Sequence, residues 1–292
     1  MFRIGLACCV GMLFAGCGAM AESPAERGDY LANTIMACGN CHTPRDADGR
    51  IIAEKALSGG LTFTTPGFVA TAPNITQDVE TGIGSWSDAE IKRALKEGKR
   101  PDHGRLAGVP LAAIMPANFY RGLLADDLDA IVAYLRTVKP IRSEAPDPVY
   151  KTAVHRDPYP DAEAGFDKTL FADPVRRGAY LVTIGHCMEC HAVRSRGVSD
   201  YKNGLGGGGR TFPPPPGSPE GSPDSVAANI TSDPTAGIGA WSDHEIRRAI
   251  TDGVARDGRR LKPPMAFSFY AGLKPADIAD IIAYLRTVPS LQ

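Results

Sequence analysis

Apolar residues recur at helical spacing in two corresponding parts of the chain. Leu128, Ile131, Val132 and Leu135 fall at i, i+3, i+4 and i+7, and Ile278, Ile281, Ile282 and Leu285 repeat the spacing. Each set lies on one face of a predicted helix. Ser87 with Glu90, and Ser242 with Glu245, have the spacing of capping boxes and predict two more helix starts. Gly98 and Gly253 stand where those helices would stop, because glycine tolerates the left-handed conformation that ends a helix. Pro275 suits the first turn of the last helix. No pair of alternating apolar runs predicts a sheet. The expected fold class is all-α.

One apolar stretch belongs to no helix pair. Ile4 to Ala15 runs for twelve residues behind Arg3, too short to span a bilayer and typical of an export-signal core. Two ends fit. Cleavage after Ala19-Met20-Ala21 makes residues 1–21 a signal peptide. Alternatively, Phe14-Ala15-Gly16-Cys17 resembles the lipobox of bacterial lipoproteins, which would remove residues 1–16 and place a lipid on Cys17. Both readings put the mature protein outside the cytoplasm.

The rest of the chain is organised by one internal repeat. Arg27-Gly28-Asp29-Tyr30-Leu31 is matched by Arg177-Gly178-Ala179-Tyr180-Leu181, and Asn74-Ile75-Thr76 by Asn229-Ile230-Thr231. The run Gly82-Ile83-Gly84-Ser85-Trp86-Ser87-Asp88 returns as Gly237-Ile238-Gly239-Ala240-Trp241-Ser242-Asp243. Ala133-Tyr134-Leu135-Arg136-Thr137-Val138 recurs identically at 283–288. These matches predict two copies of one domain, at residues 22–139 and 172–292. Residues 140–171 between them are rich in proline and aspartate, lack helical periodicity and read as an extended linker. The second copy carries an insertion with Gly206–Gly209 and Pro213–Pro216, expected to be an exposed loop.

Net charge changes this picture little. It is −1, and −2 once Arg3 leaves with the signal, so nothing favours a nucleic-acid partner. Cysteine usage changes it a great deal. Three of the seven cysteines lie before residue 20, and the other four form Cys38-Gly39-Asn40-Cys41-His42 and Cys187-Met188-Glu189-Cys190-His191. C-x-x-C-H is the attachment signature of c-type haem: two thiols one helical turn apart form thioethers with the two vinyl groups, and the next histidine ligates iron. Zinc sites and redox dithiols also use C-x-x-C, but two copies at equivalent places in a repeat are a far stronger signal. Two covalent haems on Cys38, Cys41, Cys187 and Cys190, with His42 and His191 as axial ligands, are therefore expected.

The opposite face of each haem needs a ligand or an open position. Met36 and Met188 sit too close to the attachment cysteines to reach it. Met115 lies 73 residues after His42, and Met265 lies 74 after His191. Each touches a proline and precedes a Phe-Tyr pair, which suits a stiff loop holding a thioether sulfur on iron. Met115 and Met265 are the expected distal ligands. His103, His155, His186 and His244 have no matched partner in the repeat and read as surface residues.

With these residues in view, the sequence resembles the class I cytochrome c family, and within it the cytochrome subunits of bacterial periplasmic sugar and alcohol dehydrogenases. The resemblance covers nearly all of the mature chain except the linker and the insertion. It implies two tandem domains in which the first and last helices cross near the haem, with Gly28 and Gly178 allowing close approach to Tyr134 and Tyr284. It also implies a periplasmic electron carrier that takes electrons from a periplasmic or membrane-bound dehydrogenase. A quinone-linked complex, an oxidase or another cytochrome would accept them. No catalytic residue is expected under that reading. The competing expectation is a di-haem enzyme, such as a peroxidase, in which one haem ligand is exchangeable.

Overall fold

In a computed structural model, residues 21–214 and 221–292 are described. The apolar leader with Cys17, and the end of the Pro-rich insertion from residue 215 to 220, lie outside them. Domain 1 contains α1 (Pro24–Asn33), α2 (Cys38–His42), α3 (Asp88–Glu97), α4 (Ala117–Tyr120) and α5 (Ala125–Thr137). The connecting segment holds α6 (Pro160–Ala164). Domain 2 repeats the set as α7 (Pro174–Ile184), α8 (Cys187–His191), α9 (Asp243–Asp252), α10 (Phe267–Tyr270) and α11 (Pro275–Leu285). Among the described residues, no helix is long and apolar enough to cross a membrane.

The helix boundaries follow from local chemistry. Ser87 and Ser242 accept from the backbone N–H of Glu90 and Glu245 while those carboxylates accept from the serine N–H groups, closing both capping boxes. Gly98 and Gly253 end these helices at φ 67° and 63°, and Pro275 does occupy the first turn of α11. A third capping box, Ser23 with Glu26, opens α1.

Helices dominate, but the fold is not purely α. β1 (Thr62–Thr64), β2 (Phe68–Thr71) and β3 (Val149–Tyr150) form an antiparallel sheet in that order. Two small hairpins pair β4 (Arg194–Ser195) with β5 (Val198–Ser199), and β6 (Thr211–Phe212) with β7 (Ser225–Val226). Strands of two to four residues are too short for an alternation of apolar and polar positions to stand out. Residues 140–171 also depart from the extended linker expected. β3 adds a strand to domain 1, and Tyr159 is 1 % exposed, packed 4.6 Å from Phe119 and 5.2 Å from Tyr201 of domain 2. Aromatic burial thus holds the segment against both domains.

Within each domain the first and last helices cross, α1 on α5 and α7 on α11. A Cβ on Gly28 would lie 1.9 Å from the Ala130 carbonyl oxygen, and one on Gly178 would lie 1.9 Å from that of Asp280. Only glycine permits backbones this close. Tyr134 and Tyr284 pack beside the two crossings, as expected.

The crossings bring each domain's arginine to its own aspartate. Arg27 makes two bonds to Asp127, at 2.9 and 3.1 Å. Its counterpart Arg177 pairs with Asp277 and Asp280. Each buried carboxylate then accepts a phenol from the other domain: Tyr180 donates to Asp127 at 2.6 Å, and Tyr30 donates to Asp277 at 2.5 Å. Asp127 is 7 % exposed and Asp277 1 %. Burial, and then the carboxylate, push both phenol pKa values above the ordinary tyrosine range, so the protons stay on the donors. The result is a reciprocal Arg–Asp–Tyr clamp related by the repeat.

Two substitutions test this packing. Gly28→Ala forces the α1 and α5 backbones apart and should cost about 3 kcal/mol. Tyr180→Phe removes one hydrogen bond to a buried carboxylate and should cost about 2 kcal/mol. Denaturant unfolding of the purified holo-protein measures both, and a change within error for Gly28→Ala would contradict the close crossing.

Candidate haem sites

The two C-x-x-C-H segments fold alike. Each is a five-residue helix whose preceding residue is left-handed although it is not glycine: Ala37 at φ 48° before α2, and His186 at φ 41° before α8. Helical spacing puts the two thiols of each motif on one face, with the histidine next in line. Ring orientation is set from outside the helix. His42 Nδ1 lies 2.7 Å from the Pro73 carbonyl oxygen, and His191 Nδ1 lies 2.8 Å from that of Ala228. A carbonyl only accepts, so Nδ1 carries the proton and the Nε2 lone pair is left for iron. Burial lowers the pKa of both imidazoles, which favours this neutral form, while the carbonyl bond opposes the shift.

Pro73 and Ala228 immediately precede the repeated Asn-Ile-Thr, and that motif explains how they are held. Asn74 accepts from the Thr76 N–H and hydroxyl through Oδ1 and donates 2.7 Å to the Ile141 carbonyl. Asn229 accepts from Thr231 in the same way and donates 2.7 Å to the Leu291 carbonyl. The chain leaving each last helix is thereby tied to the strand that orients the histidine. The arginine of the repeated Ala-Tyr-Leu-Arg-Thr-Val is equally structural. Arg136 donates to the Trp86 carbonyl at 2.5 Å and pairs with Asp88 at 2.8 Å; Arg286 does the same with Trp241 and Asp243, both at 2.6 Å. Identity across the repeat marked these arginines, but amphipathic patterning gave them no role.

The thiols of Cys38, Cys41, Cys187 and Cys190 are each pushed up to about 12, chiefly by burial. A redox dithiol works through a lowered thiol pKa, so the dithiol reading of C-x-x-C has no support. Among the described residues, no group of three or more His, Cys, Asp or Glu side chains is gathered as a metal cluster would require. Haem attachment suits the donor set: two half-buried thiols one helical turn apart and one neutral imidazole with a fixed tautomer.

Met115 and Met265 occupy the same place in the two domains. Each is the second residue before a one-turn helix, α4 or α10. Each loop is hung from the end of the preceding long helix by one backbone bond of 2.8 Å, Leu111 N–H to Gly98 and Leu261 N–H to Gly253. The similar spacings of 73 and 74 hide two compensating differences. Domain 2 has six more residues between histidine and glycine (62 against 56) and five fewer between glycine and methionine (12 against 17). Equivalence of the methionines therefore rests on the loop, not on the count. Three of the other four histidines pair locally: His103 with Glu90 at 3.0 Å, His155 with Asp157 at 3.2 Å and His186 with Glu189 at 3.1 Å.

Sequence reasoning did not show that each motif region meets the methionine-loop region of the other domain. The aromatic ring of Phe269 lies 2.9 Å from where a Cβ on Gly39 would sit, and Asn40 donates 3.1 Å to the Pro264 carbonyl beside Met265. In the opposite direction, the Tyr120 ring lies 6.0 Å from that of His186. Glu189 helps to raise the Cys41 thiol in the other domain as well as its neighbour Cys190.

The cytochrome c family model matches residues 25–139 and again 175–289. The chain belongs to the cytochrome c family. Among similar proteins, the fructose dehydrogenase cytochrome subunit of Gluconobacter japonicus is 31 % identical, over 93 % of this chain and 54 % of that protein. The alcohol dehydrogenase (quinone) cytochrome c subunit of Gluconobacter oxydans is 29 % identical, over 96 % of this chain and 55 % of its own length. A diheme cytochrome c-type protein of Cereibacter sphaeroides is 29 % identical, over 96 % of this chain and 90 % of that one. The cytochrome thus spans about half the length of the first two relatives and most of the third. Its two domains carry two covalently bound haem c groups, for which the two cysteine pairs and their histidines are the fitting residues.

Replacing Cys38 and Cys41 together by alanine should lower the haem content of the exported cytochrome from two per chain to one. The remaining haem should be recovered on the peptide containing Cys187 and Cys190. Intact-mass and peptide mass spectrometry measure this, and an unchanged two-haem mass would refute the assignment.

Proposed function

We propose that this cytochrome carries electrons between a dehydrogenase and the respiratory chain. The observation that carries the reading is the matched placement of a neutral, carbonyl-oriented histidine and a loop methionine in both domains. A haem supplies one-electron exchange between ferric and ferrous iron. Held by a histidine and a soft thioether, the iron would favour its ferrous form and would offer no position to substrate. His42 and Met115 would serve one haem, and His191 and Met265 the other. The protein's part is then to fix the ligands, exclude water and set the approach of the two sites.

The names of the relatives support a dehydrogenase as electron donor. A sugar- or alcohol-oxidising enzyme fits best, with a quinone-linked complex, an oxidase or another cytochrome as acceptor. The apolar leader fits export to the periplasm, either as a soluble protein or as one anchored through a lipid on Cys17. No feature of either site favours the peroxidase alternative. The basic residues of α3 and the loop after it are largely engaged nearby: Lys92 pairs with Asp129, Arg93 with Asp102, Lys99 with Glu97 and Arg105 with Asp147. A face whose charges are so largely matched gives little basis for steering an acidic partner.

The reduced cytochrome should bind no carbon monoxide. Met115→Ala and Met265→Ala should each open one iron and bind one equivalent, whereas the double variant should bind two. Optical titration of the holo-protein with carbon monoxide gives the count. One equivalent bound by the unmodified protein would instead support an enzyme with an exchangeable ligand.

A further inference from the structure

The two methionine loops are built alike but held by different chemistry. In domain 1 two guanidinium groups hold the loop: Arg100 donates to the carbonyls of Val109 at 3.0 Å and Pro110 at 2.8 Å, and a second comes from the connecting segment. Arg156 donates through Nη2 to the carbonyls of Leu111 at 2.8 Å and Ala112 at 3.0 Å, and through Nε to the carbonyl of Met115 itself at 3.3 Å. In domain 2 the carbonyls beside Met265 are held by neutral donors, Ser225 to Pro263 at 2.7 Å and Asn40 to Pro264 at 3.1 Å; the guanidinium of Arg248 reaches only the start of that loop, at Ala255 and Arg256, as Arg93 does at Arg100 in domain 1. Lys262 reaches away, toward the Pro223 carbonyl.

At the end of the preceding helix the difference is the exchange of a cation for an aromatic ring. Above Gly253, at the end of α9, the space where a Cβ would project is filled by the ring of Phe267, 3.0 Å away. Above Gly98, at the end of α3, that space is filled by the guanidinium of Arg156, 2.6 Å away. The residue equivalent to Phe267 is Ala117, too small to fill it. Among the described residues, no carboxylate lies within ion-pair distance of Arg156. The acids nearest in the same cleft are engaged elsewhere, Glu97 with Lys99 and Glu163 with Arg121. Burial is the chief influence on Arg156, acting against its charge; Tyr150 and Glu189 act in the other direction. Glu189 does not separate the two haem sites, because it raises a thiol in each.

A fixed positive charge in a partly buried setting disfavours ferric iron relative to ferrous and raises the reduction potential. We propose that Arg156 is a positioning residue for the Met115 loop and that its charge makes the domain 1 haem the higher-potential one, so that electrons pass from the domain 2 haem to the domain 1 haem. This rests on Met115 and Met265 as the distal ligands. The asymmetry needs no difference in ligand identity: a guanidinium stands behind one loop where a phenyl stands behind the other, and Arg100, whose counterpart is Ala255, adds charge of the same sign on the domain 1 side.

The test is a potentiometric titration of the holo-protein followed by its visible spectrum, with Met115→Ala used to identify the midpoint that belongs to domain 1. In the unmodified protein that midpoint should be the higher of the two. Arg156→Gln should shift it downward and leave the other in place. Arg156→Lys keeps the charge but cannot span three carbonyls. It should retain most of the higher midpoint, while imidazole displaces methionine from one haem at lower concentration than in the unmodified protein. A domain 1 midpoint below that of domain 2 overturns the proposal, and so does an Arg156→Gln variant that moves both midpoints equally or neither. Should Arg156→Gln yield no holo-protein, the order of the unmodified midpoints and the Arg156→Lys titration decide. Failure of the ligand reading has a separate signature: the near-infrared sulfur-to-iron band is then missing from the unmodified protein.

Discussion

In each domain the first and last helices cross at a single glycine. With the Ala130 and Asp280 carbonyls pressed against Gly28 and Gly178, each crossing sets the position of the neighbouring side chains. Arg27 is delivered to Asp127, and Arg177 to Asp277. The carboxylates, buried and already paired, are then presented to the tyrosine of the opposite domain. Breaking one partner of such a group leaves an uncompensated charge, at a cost of about 3–5 kcal/mol. A local steric allowance, repeated in the sequence, thus becomes an interface that joins two domains in one arrangement.

That interface places the haem sites side by side. The segment between the cysteines of domain 1 touches the methionine loop of domain 2 through Asn40 and Gly39, and Tyr120 approaches His186 from the other side. Residues 140–171 complete the join, with Tyr159 tilted against Phe119 and meeting Tyr201 edge to face. Contacts made by the attachment motifs themselves suit an electron carrier, because the cofactors need proximity and fixed geometry more than access to solvent.

Much of this was readable in the sequence because it rests on local chemistry. Serine and glutamate at capping spacing, glycine at a helix end and cysteine pairs followed by histidine carry their meaning within a few residues. The repeat marked Gly28 and Gly178, but their place at a helix crossing was implied by the family resemblance. The carbonyl partners of the histidines were not readable, since Pro73 and Ala228 act through a backbone atom that any residue has. The near-equal methionine spacing pointed to equivalent loop positions for an incomplete reason: an insertion before the helix glycine and a deletion after it nearly cancel. Arg156 was hidden because its partners are carbonyls 41 to 45 residues away in sequence, in a segment whose composition suggested only an extended connection. The small sheets escaped because two to four residues give periodicity too little length to register.

The central claim is that both irons are closed by a histidine and a methionine in the resting protein. Low-temperature electron paramagnetic resonance of the oxidised holo-protein tests it most directly. The account predicts low-spin ferric signals that integrate to two haems per chain, with no high-spin component and no change on adding peroxide. A high-spin signal from one haem that is altered by peroxide would contradict it.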